Sequence, residues 1–153
     1  MTPLGALADG TVSGFLAAAL MTSFEACFWR TMGIGGVVEW QVNLVMVSQL
    51  LHEKYNPEKR LREALGMHLV HGALFGALLG GIFSASSKLS ASDYILAAVA
   101  LSLFLWLLVP FLFRKSFEGR TGARFSRAGI GISLASHLVY GLALGVCLTA
   151  LMG

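Results

Sequence analysis

Two histidines sit in nearly identical apolar settings, HLVHGALFG at 68–76 and HLVYGLALG at 137–145. Both stretches read His-Leu-Val-x-Gly-x-x-x-Gly. Imidazole is a standard axial ligand of haem iron, so His68 and His137 could clasp one haem b between two helices while the glycines clear room for the ring. His71 follows His68 by three residues, within reach of the same ligand. Glu25 lies five residues before Arg30, near the end of another apolar run. Facing inward, it would partner His68, His71 or His137 and make a proton relay or a quinone site, since an ionisable group inside a membrane is functional by default. Facing outward, it would reach the interface and pair with Arg30 beside Trp29. The outward reading is preferred for a residue so near a helix end.

The glycines carry a packing argument. Steps of four give Ala64, His68, Gly72, Gly76, Gly80 and Ser84 on one helix face, and Gly129, Ser133, His137, Gly141, Gly145 and Thr149 on another. Ridges of small residues let membrane helices approach backbone to backbone. The expectation is that these two helices form a central pair, with the histidines as hydrogen-bonding groups between them. Packing is preferred over haem, because a porphyrin forces helices apart and a glycine ridge draws them together. His68 and His71 lack the further ligands a metal needs. No HExxH, phosphate-binding loop or nucleophile elbow occurs, so no catalytic residue is assigned. GIGG at 33–36 reads as a turn ending a helix.

Composition sets the elements that must position these groups. The chain is 56% hydrophobic and 12% charged, with a mean hydropathy of +0.75, and a soluble domain would be about 25% charged. Four apolar runs, about 7–29, 65–83, 94–113 and 129–152, approach the roughly 20 residues that span a bilayer. Backbone groups in lipid must be satisfied within each segment, which predicts helices, and the alternation of barrel strands is absent. The predicted fold is an all-α integral membrane domain over 1–153 with four transmembrane helices. LAAALMTSF at 16–24 resembles LAAVALSLF at 96–104, eighty residues later. Together with the histidine motifs, this predicts two parallel helix-pair repeats.

The connections are also readable. Residues 37–54 form a helical segment whose apolar part, Val37–Leu51, is interrupted by Glu39, Gln41, Asn43, Ser48 and Gln49. At roughly 22 Å it falls short of a ~30 Å hydrocarbon core, so an interfacial or re-entrant placement is expected. Asn56 and Pro57 should start the second membrane helix, and Ser90 with Asp93 should box the start of the third. The short loop before Ser90 predicts that the second and third helices are antiparallel neighbours. Pro110 predicts a kink, and Gly119 and Gly122 predict a flexible third loop.

Charge gives orientation. Five basic residues (Arg30, Lys54, Lys59, Arg60, Arg62) separate the first two spans, five (Arg114, Lys115, Arg120, Arg124, Arg127) the last two, and only Lys88 lies in the middle loop. Cytoplasmic loops collect Lys and Arg, which predicts a cell-membrane protein with loops one and three inside and both termini outside. No basic residue precedes the first apolar run, so the first helix is expected to stay in the mature protein. Since topology already accounts for the positive charge, no nucleic-acid partner is expected; anionic headgroups and bound lipid are. Cys27 and Cys147 should lie toward opposite helix ends, unpaired.

Three functions are weighed. A non-catalytic membrane subunit or scaffold, packed against other membrane subunits and needing no cofactor, ranks first, because so few ionisable groups lie inside. A redox module holding haem b or quinone between the second and fourth helices ranks second. A small transporter ranks third.

Overall fold

A computed structural model describes residues 2–33, 36–56, 58–86 and 89–153, without the side chains of 109 and 110. The described chain is helical: α1 (Pro3–Met32), α2 (Val38–Leu50), α3 (Leu61–Ser84), α4 (Ala91–Thr121) and α5 (Arg127–Met152). All but α2 are long and apolar enough to cross a membrane.

Each helix begins and ends for a local reason. Thr2 caps α1 by accepting from the Gly5 N–H at 3.1 Å, with Pro3 in the first turn where its missing N–H leaves nothing unsatisfied. Gly33, at φ +70°, closes α1 and donates to the Trp29 carbonyl; Ile34 and Gly35 of the expected turn lie outside the described residues. Ser90 and Asp93 form the expected capping box of α4, with reciprocal bonds of 2.8 and 3.3 Å. Ser126 caps α5 through the Gly129 N–H at 2.9 Å.

Two boundaries differ from the sequence reading. Asn56 accepts from the Glu58 N–H at 3.0 Å in a local turn, and α3 begins later, at Leu61. Arg60 pins that connection by bonding both oxygens of Glu53, at 3.0 and 2.5 Å, and Glu63 at 2.8 Å. Pro57 lies outside the described residues. At the other side, α4 continues through Pro110 to Thr121, supported by an Arg114–Glu118 bond of 2.9 Å one turn apart. Gly122, at φ +68°, ends it, so the expected flexible loop of 114–127 shrinks to a short link. The expected kink rests on the Pro110 side chain, which lies outside the described residues.

Packing also departs from expectation. The α3 ridge faces α1: a Cβ on Gly76 would lie 2.6 Å from the Gly14 Cα, and one on Gly80 would lie 3.1 Å from the Gly10 Cα. The α5 ridge faces α4: a Cβ on Gly145 would lie 2.6 Å from the Ile95 Cα, and one on Gly141 would lie 2.8 Å from the Val99 Cα. Gly129 backs onto the Gly36 carbonyl at the entrance to α2. The glycines thus seal two hairpins, α1/α3 and α4/α5, rather than one central pair. The reason was present in α1, whose steps of four read Ala6, Gly10, Gly14 and Ala18: a matching ridge of small residues.

The hairpins join through α1 and α5, where Ala17, Ala18 and Met21 pack with Tyr140, Leu144 and Leu148. α3 and α4 become flanks. They meet beside their loop, where the Phe83 and Tyr94 rings stand edge to face at 4.8 Å. At the other end α2 fills the space between them, packing on α3, α4 and α5. α2 is buried nearly all round, including Glu39, Asn43 and Ser48. A helix buried on every side needs no polar stripe, so its polar residues are free to serve a site.

Candidate functional site

Packing α2 against the hairpins brings polar side chains from all five helices together. Glu39 and Asn43 are one turn apart on α2, and Ser133 and His137 are one turn apart on α5, so each pair shares a face. Glu39 Oε1 accepts from the Ser133 hydroxyl and lies 3.3 Å from His137 Nδ1. That nitrogen is also 3.0 Å from the Ser133 carbonyl, to which its N–H donates. Ser102 of α4 donates to the His137 carbonyl at 2.5 Å, fixing α5 from the far side.

Glu25 of α1 is fully buried and faces inward. Trp40 Nε1–H donates to its Oε2 at 2.9 Å, and Ser136 and Glu39 are its other polar neighbours. Arg30 is exposed at the helix end and pairs with no carboxylate among the described residues. The expected interfacial Glu25–Arg30 pair is therefore replaced by a buried Glu25–Trp40 bond. Trp40 stands edge-on to Trp29 at 4.9 Å and stacks on His68 at 5.8 Å.

His68 completes the group from α3. Asn43 Nδ2 donates to His68 Nδ1 at 3.3 Å, which assigns the imidazole proton to Nε2. Nε2 itself has no partner, nor do Glu25 Oε1 and Glu39 Oε2. One turn further along both helices, the Tyr140 hydroxyl donates to the Gly72 carbonyl at 2.9 Å, tying α5 to α3.

A cavity of about 270 Å³ opens beside these groups. Its lining combines the polar Glu39, Asn43, His68, His71 and His137 with apolar residues that include Phe75, Leu105, Leu108, Leu112 and Phe113. Apolar walls with a few convergent polar groups are the usual make-up of a small-molecule site. Among the described residues, no three His, Cys, Asp or Glu side chains are grouped as a metal would require.

Of the residues singled out by sequence, His68, His137 and Glu25 belong to this group, His71 lines the cavity, and the glycines serve the hairpin contacts. Glu39, Trp40 and Asn43 were missed as site residues. Their signal was present: Glu39 and Asn43, four apart, share one face of a mostly apolar helix too short to span. The chain matches no protein-family model, no curated protein and no solved structure.

Proposed function

We propose that this membrane protein binds an amphipathic small molecule of the quinone class in the cavity between α3 and α4. The observation that carries the reading is the cavity's lining: a few hydrogen-bonding groups, with His68 Nε2 unpartnered, among leucine and phenylalanine side chains. A quinone headgroup offers carbonyl oxygens to a free imidazole N–H, and its tail suits apolar walls open to membrane helices. Haem is the weaker ligand. The tautomer set by Asn43 leaves no lone pair on His68 Nε2, and the Tyr140–Gly72 bond holds α3 and α5 together where a porphyrin would need to lie.

The test is saturable quenching of tryptophan fluorescence by short-chain ubiquinone, with the protein in nanodiscs. Binding should weaken at least tenfold in His68→Leu and in the cavity-filling Leu108→Trp. Quenching that rises linearly without saturation, or is equal in all three proteins, would sink the reading.

A scaffold role ranks second, favoured by the apolar outer face of α4, where Leu96 is 68% and Phe111 82% exposed. Such a face suits lipid or other membrane subunits. The two hairpins are read as a parallel duplication. In support, Gly72 meets Ala18 and Gly141 meets Ala98, and those alanines keep the spacing of eighty seen in the LAA match. The basic connections are assigned to the cytoplasm, with both termini outside and α2 entering the membrane domain from the cytoplasmic side.

A further inference from the structure

We propose that the cavity opens sideways into the bilayer between α3 and α4, so that a quinone-class ligand lodges its headgroup inside and keeps its hydrocarbon tail in the lipid. The inference rests on the quinone reading of the cavity and adds the route of entry and the pose of the ligand.

The opening follows from how the hairpins pair. α1 and α5 carry the contact between them, and among the described residues α3 and α4 do not pack along their lengths. Two closures bound the space left between those flanks. Toward one end the Phe83 and Tyr94 rings meet edge to face at 4.8 Å. Toward the other, α2 bridges the flanks: Asn43 Nδ2 donates to His68 Nδ1 of α3 at 3.3 Å, and Gln49 Nε2 donates to the Ser116 hydroxyl of α4 at 2.5 Å. α2 turns Glu39, Val42, Asn43 and Met46 to the cavity, and their spacing of three and four residues puts them on one face.

Burial shows where the cavity meets the surface. Met21 of α1 and Tyr140 of α5 line it and are buried, so they form its back. Leu112 of α4 also lines it and is 59% exposed. A side chain that borders both the cavity and the surface marks where one opens into the other. His71 and Phe75, one turn apart on α3, face the cavity from the opposite flank and are half-buried. Leu112 stands two residues before Arg114, where α4 turns charged, which puts the opening in the leaflet on the side of the basic connections.

Volume decides the pose. At about 270 Å³ the cavity falls just short of the roughly 300–1,000 Å³ of sites that enclose a whole small molecule. A ring fits, and a long isoprenoid chain does not fit with it. Water would penalise a protruding apolar tail, whereas lipid chains match it. An opening between two lipid-facing helices therefore suits a ligand that already lives in the membrane.

The experiment is photolabelling of the full-length protein in nanodiscs with a ubiquinone that carries a diazirine in its isoprenoid tail. Mass spectrometry then maps where the tail lies, and excess short-chain ubiquinone separates label at the site from label dissolved in lipid. The expected result is adducts on Phe75, Leu105, Leu108 or Leu112 that the competitor reduces at least tenfold. Competed adducts confined to Met21 or Tyr140 would put the tail inside the protein. Competed adducts on the exposed Leu16 of α1 or Leu142 of α5 would put its exit elsewhere. Either of these results overturns the portal and leaves the quinone site standing. Adducts spread over lipid-facing residues and indifferent to the competitor would remove the quinone site, and the portal with it.

Discussion

At the scale of single residues, Glu39 is a buried junction between helices. It accepts from Ser133, pairs with His137 and neighbours Glu25, all out of water. Glu39→Leu strips the hydroxyl and the imidazole of their carboxylate together, and breaking a buried pair from one side costs about 3 kcal/mol. The expected outcome is a clear loss of thermal stability in detergent, against no measurable change for Glu58→Leu, whose side chain is exposed; equal melting of the two variants would remove Glu39 from the core network. The two motif histidines could be read from the sequence because repetition exposed them. Glu39 could not, because a lone carboxylate in a short apolar run has the same pattern whether it faces headgroups or a buried imidazole. The same ambiguity held for Glu25. Its closeness to a helix end favoured the interface until α2 was seen to cover that end with Trp40.

At the scale of elements, the glycine ridges were readable and their partners were not. Period-four stepping identifies a face able to approach another backbone, but it does not choose among helices carrying similar faces. The choice fell to α1 because its Gly10 and Gly14 complement Gly76 and Gly80. Gly76→Ala should therefore destabilise by about 2 kcal/mol through overpacking, since its Cβ meets backbone atoms that cannot yield separately. Gly131→Ala, with open space around its Cβ, should be neutral or slightly stabilising by helix propensity. Urea unfolding in mild detergent would compare them, and equal midpoints would deny the close α1/α3 contact. The 51–60 connection invites a pH experiment. The Arg60 guanidinium, by hydrogen bonding, holds the Glu53 carboxyl below the usual carboxylate range. A depressed folded value means that the tie is complete above the ordinary carboxylate range and is lost as pH falls through the depressed value. Amide exchange, corrected for its intrinsic pH dependence, should lose protection at residues 53–56 and 58–60 on acidification, and Glu53→Gln should abolish that dependence.

At the scale of the whole molecule, the four spans were readable because hydrocarbon thickness imposes a length. The burial of α2 was not, because 13 residues satisfy no such ruler. Antiparallel packing within each hairpin gathers the end of α1, the start of α3, the end of α4 and the start of α5 at one end of the protein. The described basic residues are gathered there too; Lys88 lies outside the described residues. α4 adds a physical reason: at 31 residues it reaches roughly 46 Å, well beyond a ~30 Å core. The surplus is the charged turn pair Arg114–Thr121, which the bilayer excludes. If that end is cytoplasmic, single cysteines at Glu58 and Ala123, placed in a chain lacking Cys27 and Cys147, should resist a membrane-impermeant maleimide on intact cells. A cysteine at Ser86 should react, and all three should react after permeabilisation. Labelling of Glu58→Cys and Ala123→Cys alone would invert the protein while preserving its architecture. Labelling of only one of them would separate the two basic connections across the bilayer, which two parallel hairpins cannot accommodate, and both the four-span reading and the duplication would fall together.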